Sequence, residues 1–221
     1  MINKYSLFPS KDDTNYLKAI LAILVLLHHI YQEVPLFAGT FLDTIFLSLG
    51  YLSVAAFFFL SGYGLAFSEK TKGEEYVNGL PTKRIAPFYL QILCLNIIYF
   101  LLNGLINNKL DYSGLMYSVF RNDSLIRNGW YLTVSLMTYI VFYYTYKLSK
   151  NTILRLLTVA AVLMIFGIAC IRIFKFGTWW YESNFAFVIG LLWGTIGGDN
   201  SKQSSKNKYY LFLFGTGVVF I

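Results

Sequence analysis

Long apolar stretches separated by short polar ones run through the whole chain. Apolar segments occupy about 16–36, 43–67, 85–106, 129–147, 152–172 and 180–197, each near the roughly 20 residues an α-helix needs to cross the hydrocarbon of a bilayer. A seventh begins near Tyr209 and runs to Ile221, short of a full span. The pattern predicts an all-α fold, a polytopic membrane helical bundle of about six complete transmembrane helices plus the start of a seventh. Residues 1–221 read as a single integral-membrane domain, and the chain is expected to be the N-terminal part of a longer protein. The stretch 107–128 is too polar to cross and too long for a tight turn. Its Asp111, Arg121, Asp123 and Arg127 among aromatic residues predict an interfacial excursion.

Composition strengthens this picture. The chain is 57% hydrophobic and only 13% charged, against about 25% charged residues in a typical soluble domain. A net charge of +7 raises the question of nucleic acid, but the basic residues form no tract or amphipathic face. They mark loops. Thirteen of the 18 Lys and Arg fall in the N-terminal segment and the 68–84, 147–155 and 202–208 loops, so the positive-inside rule puts the N-terminus in the cytoplasm. The first fifteen residues are polar and the apolar run after them is longer than a signal core, so the first helix itself is expected to direct insertion. Cys94 and Cys170 lie in apolar segments, where a thiol behaves as a small hydrophobe. No CxxC or HxxEH spacing occurs, and no metal site is expected.

His28 and His29 stand inside the first apolar run, LKAILAILVLLHHIYQEV, where an ionisable side chain is costly and marks a functional position by default. At 100° per residue, His29 falls about 20° from Lys18 on the helical wheel and roughly 16 Å further along the axis. Lys18, Ala22, Val25, His29 and Gln32/Glu33 therefore form one stripe. An imidazole kept from bulk water can accept a hydroxyl proton and return it, which makes His29 the candidate general base. His28 points elsewhere and reads first as packing; it and Glu33, at the far end of the stripe, are the candidate supporting residues. Ser61, Gly62 and Gly64 in FFFLSGYGL read as scaffold, and Gly190–Gly194 as a close-packing face. Lys83 and Arg84 stand at the entry of the third crossing, three residues before Pro87, and suit phosphate binding. Trp130–Tyr131 and Trp179–Trp180–Tyr181 read as interfacial belts.

These stretches together resemble the membrane acyltransferase-3 family of bacterial O-acyltransferases. The resemblance rests on Lys18…His29, FFFLSGYGL (Phe57–Leu65), KRIAPFYL (Lys83–Leu90), GWYL (Gly129–Leu132) and FAFVIGLLWG (Phe185–Gly194), in family order. It implies acyl transfer, usually of acetyl, from cytoplasmic acyl-CoA to a hydroxyl of a cell-envelope carbohydrate or similar acceptor. Acyl-CoA would be a co-substrate, with no tightly bound cofactor, in a multi-pass protein of the bacterial plasma membrane. His29 matches the family's catalytic histidine. Lys18 occupies the usual place of an arginine, and Arg84 matches the second arginine of an RxxR pair that engages the donor. Position 81 is proline where the first would stand, and Lys83 would supply the missing charge. Outside the resemblance, the His29 stripe with Glu33 and Asp43 also suits a transporter's proton or substrate path. An inactive truncated relic is the third reading.

Overall fold

In the computed structural model, which describes residues 11–121 and 125–197, every regular element is helical. In chain order these are α1 (Lys11–Glu33), α2 (Phe41–Lys72), α3 (Glu74–Leu80), a π turn (Pro81–Ile85), α4 (Ala86–Asn107), α5 (Tyr112–Phe120), α6 (Trp130–Leu148), α7 (Thr152–Ala169) with a π turn (Cys170–Phe174) after it, a 3-10 turn (Thr178–Trp180), and α8 (Phe185–Gly197). Four helical stretches are long and apolar enough to cross a membrane: Asp12–Glu33, Phe41–Lys72, Glu74–Asn107 and Thr152–Phe174. The expected crossings at 129–147 and 180–197 correspond to the 19-residue α6 and to the 3-10 turn followed by the 13-residue α8. The expected seventh lies outside the described residues. Many large apolar side chains on these helices are exposed, Leu105, Ile106 and Ile173 among them, as surfaces facing lipid require.

The chain divides into two compact units. One contains α1, α2 through Thr71, and α8; the other runs from Lys72 to Trp180.

In the first unit α1 and α2 form a hairpin whose turn is fixed by one carboxylate. Pro35 follows the end of α1, as expected of a residue that cannot continue a helix. The Asp43 carboxylate, in the first turn of α2, accepts from the Tyr31 hydroxyl at 2.7 Å and from the Gly39 backbone N–H at 3.1 Å. Gly39 has a φ of 78°, a conformation glycine enters without steric penalty. Tyr31, Phe37 and Phe46 stack beneath this turn, with ring centres 4.9 to 6.3 Å apart. Further along α2, α8 packs so closely that a Cβ on Gly190 would run into the carbonyl oxygen of Phe59, and one on Gly62 into that of Phe187. A Cβ on Gly194 would stand 2.6 Å from the Tyr63 carbonyl. The small residues read as a packing face are the ones in backbone contact.

In the second unit α3, the π turn and α4 make one continuous helical stretch. Pro87 explains the π turn. It has no N–H for the Lys83 carbonyl, and its ring excludes that carbonyl from the usual position. The ladder therefore widens by one residue, and the Ala86 N–H reaches the Pro81 carbonyl instead. α4 ends at Asn108 in the left-handed conformation (φ 51°), a frequent helix stop. Asp111 then caps α5, accepting from the Gly114 N–H and the Ser113 hydroxyl, both at 2.9 Å. α5 buries its small residues Gly114 and Ser118 and exposes Tyr112, Met116, Tyr117 and Phe120, the amphipathic form expected of an interfacial excursion.

The belt reading of the tryptophans fails for two of them. Trp130 and Trp180 are buried, with rings 6.1 Å apart, and Phe176 packs on Trp180 at 4.5 Å. The Arg121 guanidinium covers Phe176 at 4.5 Å. Trp179 stays exposed. Aromatic residues at helix ends serve an interface only if no neighbouring segment folds over them, and here the 176–180 turn does.

Candidate functional site

Lys18, His28, His29 and Glu33 lie on α1 in the first unit, and Lys83 and Arg84 lie in the second.

On α1 the packed face is the one bearing Leu21, His28 and Tyr31. Leu21 and Tyr31 are buried, and the His28 imidazole lies on Gly50, close enough that a Cβ there would overlap its ring. His28 Nδ1 stands 3.0 Å from the Phe46 carbonyl oxygen. That oxygen can only accept, so Nδ1 carries the proton and His28 is held as a packing residue. Lys18, Val25 and His29 are partly buried beside this face, while Ala22, Gln32 and Glu33 are exposed. His29 Nδ1 lies 3.0 Å from Gln32 Oε1, one helical turn on. With the amide oxygen accepting from Nδ1–H, Nε2 is the ring nitrogen that carries the lone pair, as a proton acceptor needs. The two rings are 5.2 Å apart and inclined at 57°, so adjacent imidazoles occupy different environments. Asp43, named in the transporter reading, is taken up by the α1–α2 turn.

Arg84 has the most distinctive surroundings of the candidate residues. The π turn directs its half-buried guanidinium to α3 and α6, where Nη1 donates to the Tyr76 hydroxyl at 3.4 Å and Nη2 to the Tyr139 hydroxyl at 3.5 Å. Both contacts are at the long end of hydrogen bonding. The guanidinium carbon also stands 4.9 Å from the centre of the Tyr139 ring, and Phe88, one turn along from Arg84, packs on that ring at 5.7 Å. Tyr139 is the tenth of the 19 residues of α6, so the cation sits level with the middle of that helix. Among the described residues no carboxylate pairs with it. A charge taken from water costs several kcal/mol, on the order of what a well-placed counter-ion returns, and two phenols and a ring face offset only part. This arrangement suits an incoming anion.

Lys83 is exposed, and its stem and ammonium fold back over Gly79, within 4 Å of where a Cβ would stand. Nearby, Lys147 donates to the Asn78 side-chain carbonyl, and Lys150 pairs with Glu74 at 2.7 Å. These contacts tie α3 to the α6–α7 connection. Arg155 closes the end of α6 by donating to the Ser149 and Tyr146 carbonyls at 2.6 and 3.2 Å. Among the described residues no three His, Cys, Asp or Glu side chains gather at metal-ligand spacing.

Sequence reasoning missed Tyr76 and Tyr139. Tyr139 lies 55 residues from Arg84, and nothing in local hydropathy pairs them; a signal was available only in the recurrence of Tyr131, Ser135 and Tyr139 at helical spacing.

A family model described as an acyltransferase domain, that of the acyltransferase-3 family, matches residues 12–221. No curated protein and no solved structure gives a match.

Proposed function

The chain belongs to the membrane acyltransferase-3 family, and from that premise we propose that it transfers an acyl group, acetyl in the simplest case, from cytoplasmic acyl-CoA to a hydroxyl of a cell-envelope carbohydrate or similar acceptor. Arg84 carries this reading: a half-buried cation faced by two phenols, with no carboxylate among the described residues, suits the phosphates of a coenzyme. Lys83 and Lys18 add exposed or partly buried positive charge for the same donor. We place the protein in a bacterial plasma membrane with its N-terminus cytoplasmic, on the charge bias of its loops.

His29 is the general base in this proposal. Its Nε2 takes the proton of the acceptor hydroxyl while the oxygen attacks the thioester carbonyl. The carbon–sulfur bond then breaks, and the imidazolium returns the proton to the departing thiolate. The hydrogen bond from Nδ1–H to Gln32 supports the tautomer this needs. The test is acetyl-CoA carrying a labelled acetyl group, supplied to membranes containing the chain or its His29→Ala variant. Label should appear in an envelope fraction with the first and not with the second at equal protein levels. Equal labelling with both would remove His29 from the chemistry.

A further inference from the structure

α5 has the amphipathic outline of a surface helix but not the placement of one. α4 stops at Asn108 in the left-handed conformation, and the chain turns back. Leu110 folds over Gly104, where a Cβ would overlap its side chain. The Tyr112 ring packs on Phe100 at 5.4 Å, and at the other end of α5 the Val119 carbonyl lies 3.5 Å from the Tyr89 hydroxyl. Later residues of α5 thus meet earlier residues of α4. The two helices are antiparallel neighbours over positions 89–104 of α4, inside the Glu74–Asn107 stretch that is long and apolar enough to cross a membrane. A helix lying in the plane of the interface would cross the end of α4 rather than descend beside it.

The chemistry of the segment suits immersion. Between Asp111 and Arg121, α5 carries no charged residue, whereas a helix held at a membrane surface shows a charged or strongly polar face to water. Its narrow side, Gly114 and Ser118, is buried in protein instead. Backbone groups beyond its end are met by side chains: Ser118 accepts from the N–H of buried Leu125 at 3.0 Å, and the Thr133 hydroxyl of α6 donates to the Arg121 carbonyl at 2.7 Å. Non-helical backbone is tolerated at membrane depth on that condition.

We propose that α5 is a re-entrant helix, which enters the membrane beside α4 and lays the face formed by Tyr112, Met116, Tyr117 and Phe120 against the acyl chains of one leaflet. It is the leaflet at the end of α4, the outer one on the charge bias of the loops. The four side chains are between 63% and 76% exposed. They stand on the helix next to the exposed Leu101 and Leu105 of α4, so the lipid that meets α4 meets them too.

Nitroxide labels test this in the chain reconstituted in lipid nanodiscs. Cys94→Ser removes the exposed native thiol and Cys170 is buried, so single labels can be placed through Tyr112→Cys, Met116→Cys and Phe120→Cys. Leu101→Cys and Lys109→Cys serve as references on and just beyond α4. Depth is read from relaxation by oxygen, which concentrates in hydrocarbon, against relaxation by a water-soluble nickel chelate. The label at position 112 should match the depth of that at 101, and the label at position 120 should lie about 6–12 Å deeper, the rise of the helix between them allowing for tilt. Oxygen should reach all three. Equal depths at 112 and 120, close to that at 109, would make α5 an in-plane interfacial helix and overturn the proposal. Immobile labels at 116 and 120 shielded from oxygen would mean that a second copy or another protein covers the face, and chelate access at 120 that it faces water. Either result overturns it as well.

Discussion

The Arg84 guanidinium lies over the Tyr139 ring at 4.9 Å, midway along α6, with the Tyr139 and Tyr76 hydroxyls as its hydrogen-bond partners among the described residues. Its position is set by backbone chemistry some distance away. Pro87 blocks the regular ladder and the π turn at Pro81–Ile85 takes up the extra residue, which rotates everything before it relative to α4. π turns within α-helices often coincide with functional positions.

A cation held this way should be expendable for folding and essential for binding. Arg84→Met keeps the side-chain length and removes the desolvated charge, so the unfolding temperature of the purified protein should be unchanged or higher. Donor binding should fall at least tenfold. A large drop in stability would mean that the guanidinium is structural.

The two histidines should separate cleanly. His28→Ala loses the bond to the Phe46 carbonyl and the contact with Gly50, and should cost about 1–2 kcal/mol of stability while transfer persists. His29→Ala should leave the unfolding curve nearly unchanged and abolish transfer. The pair of unfolding and labelling measurements distinguishes this from the reverse assignment.

Glycines on α2 and α8 differ in what surrounds them. Gly190→Ala would drive a methyl into the Phe59 carbonyl, and should cost about 2 kcal/mol because a backbone atom has to give way. Gly64 has nothing within 4 Å of a Cβ position. There Gly64→Ala should gain about 0.5–1 kcal/mol from the helix preference for alanine. Thermal unfolding in one detergent gives both values.

The cap on α5 should be acid-sensitive. The Gly114 N–H, then the Ser113 hydroxyl, hold the Asp111 carboxyl below the ordinary aspartate range. Because the folded pKa is depressed, the stabilisation is full above the unfolded value, near pH 4, and is lost as pH falls through the folded one. Amide protection over Tyr112–Phe120, taken relative to the intrinsic exchange rate at each pH, should therefore fall below about pH 4. In Asp111→Asn, which keeps an accepting oxygen without titrating, the same step should be absent.

Local properties were legible without coordinates. Runs of apolar residues marked the helices, because desolvating a backbone in lipid leaves the helix as the available solution for such a run. The close approach at Gly190 and Gly194 was legible because a missing Cβ is a property of the residue itself, whereas the cap at Asp111 and the stop at Pro35 emerged with the structure. The 100° step separates His28 from His29 along the sequence, and in the structure His28 lies against Phe46 and Gly50.

What α6 does for Arg84 depended on tertiary structure, since the cation and its phenols come from α3, the π turn and α6. The same holds for Trp130 and Trp180, whose fate turned on whether the 176–180 segment folds over them. Sequence alone determined that this is a helical membrane protein of the acyltransferase-3 pattern, because hydropathy and motif order are properties of neighbours along the chain. Only the folded arrangement decided which polar groups face one another, because burial and pairing are set by residues tens of positions apart.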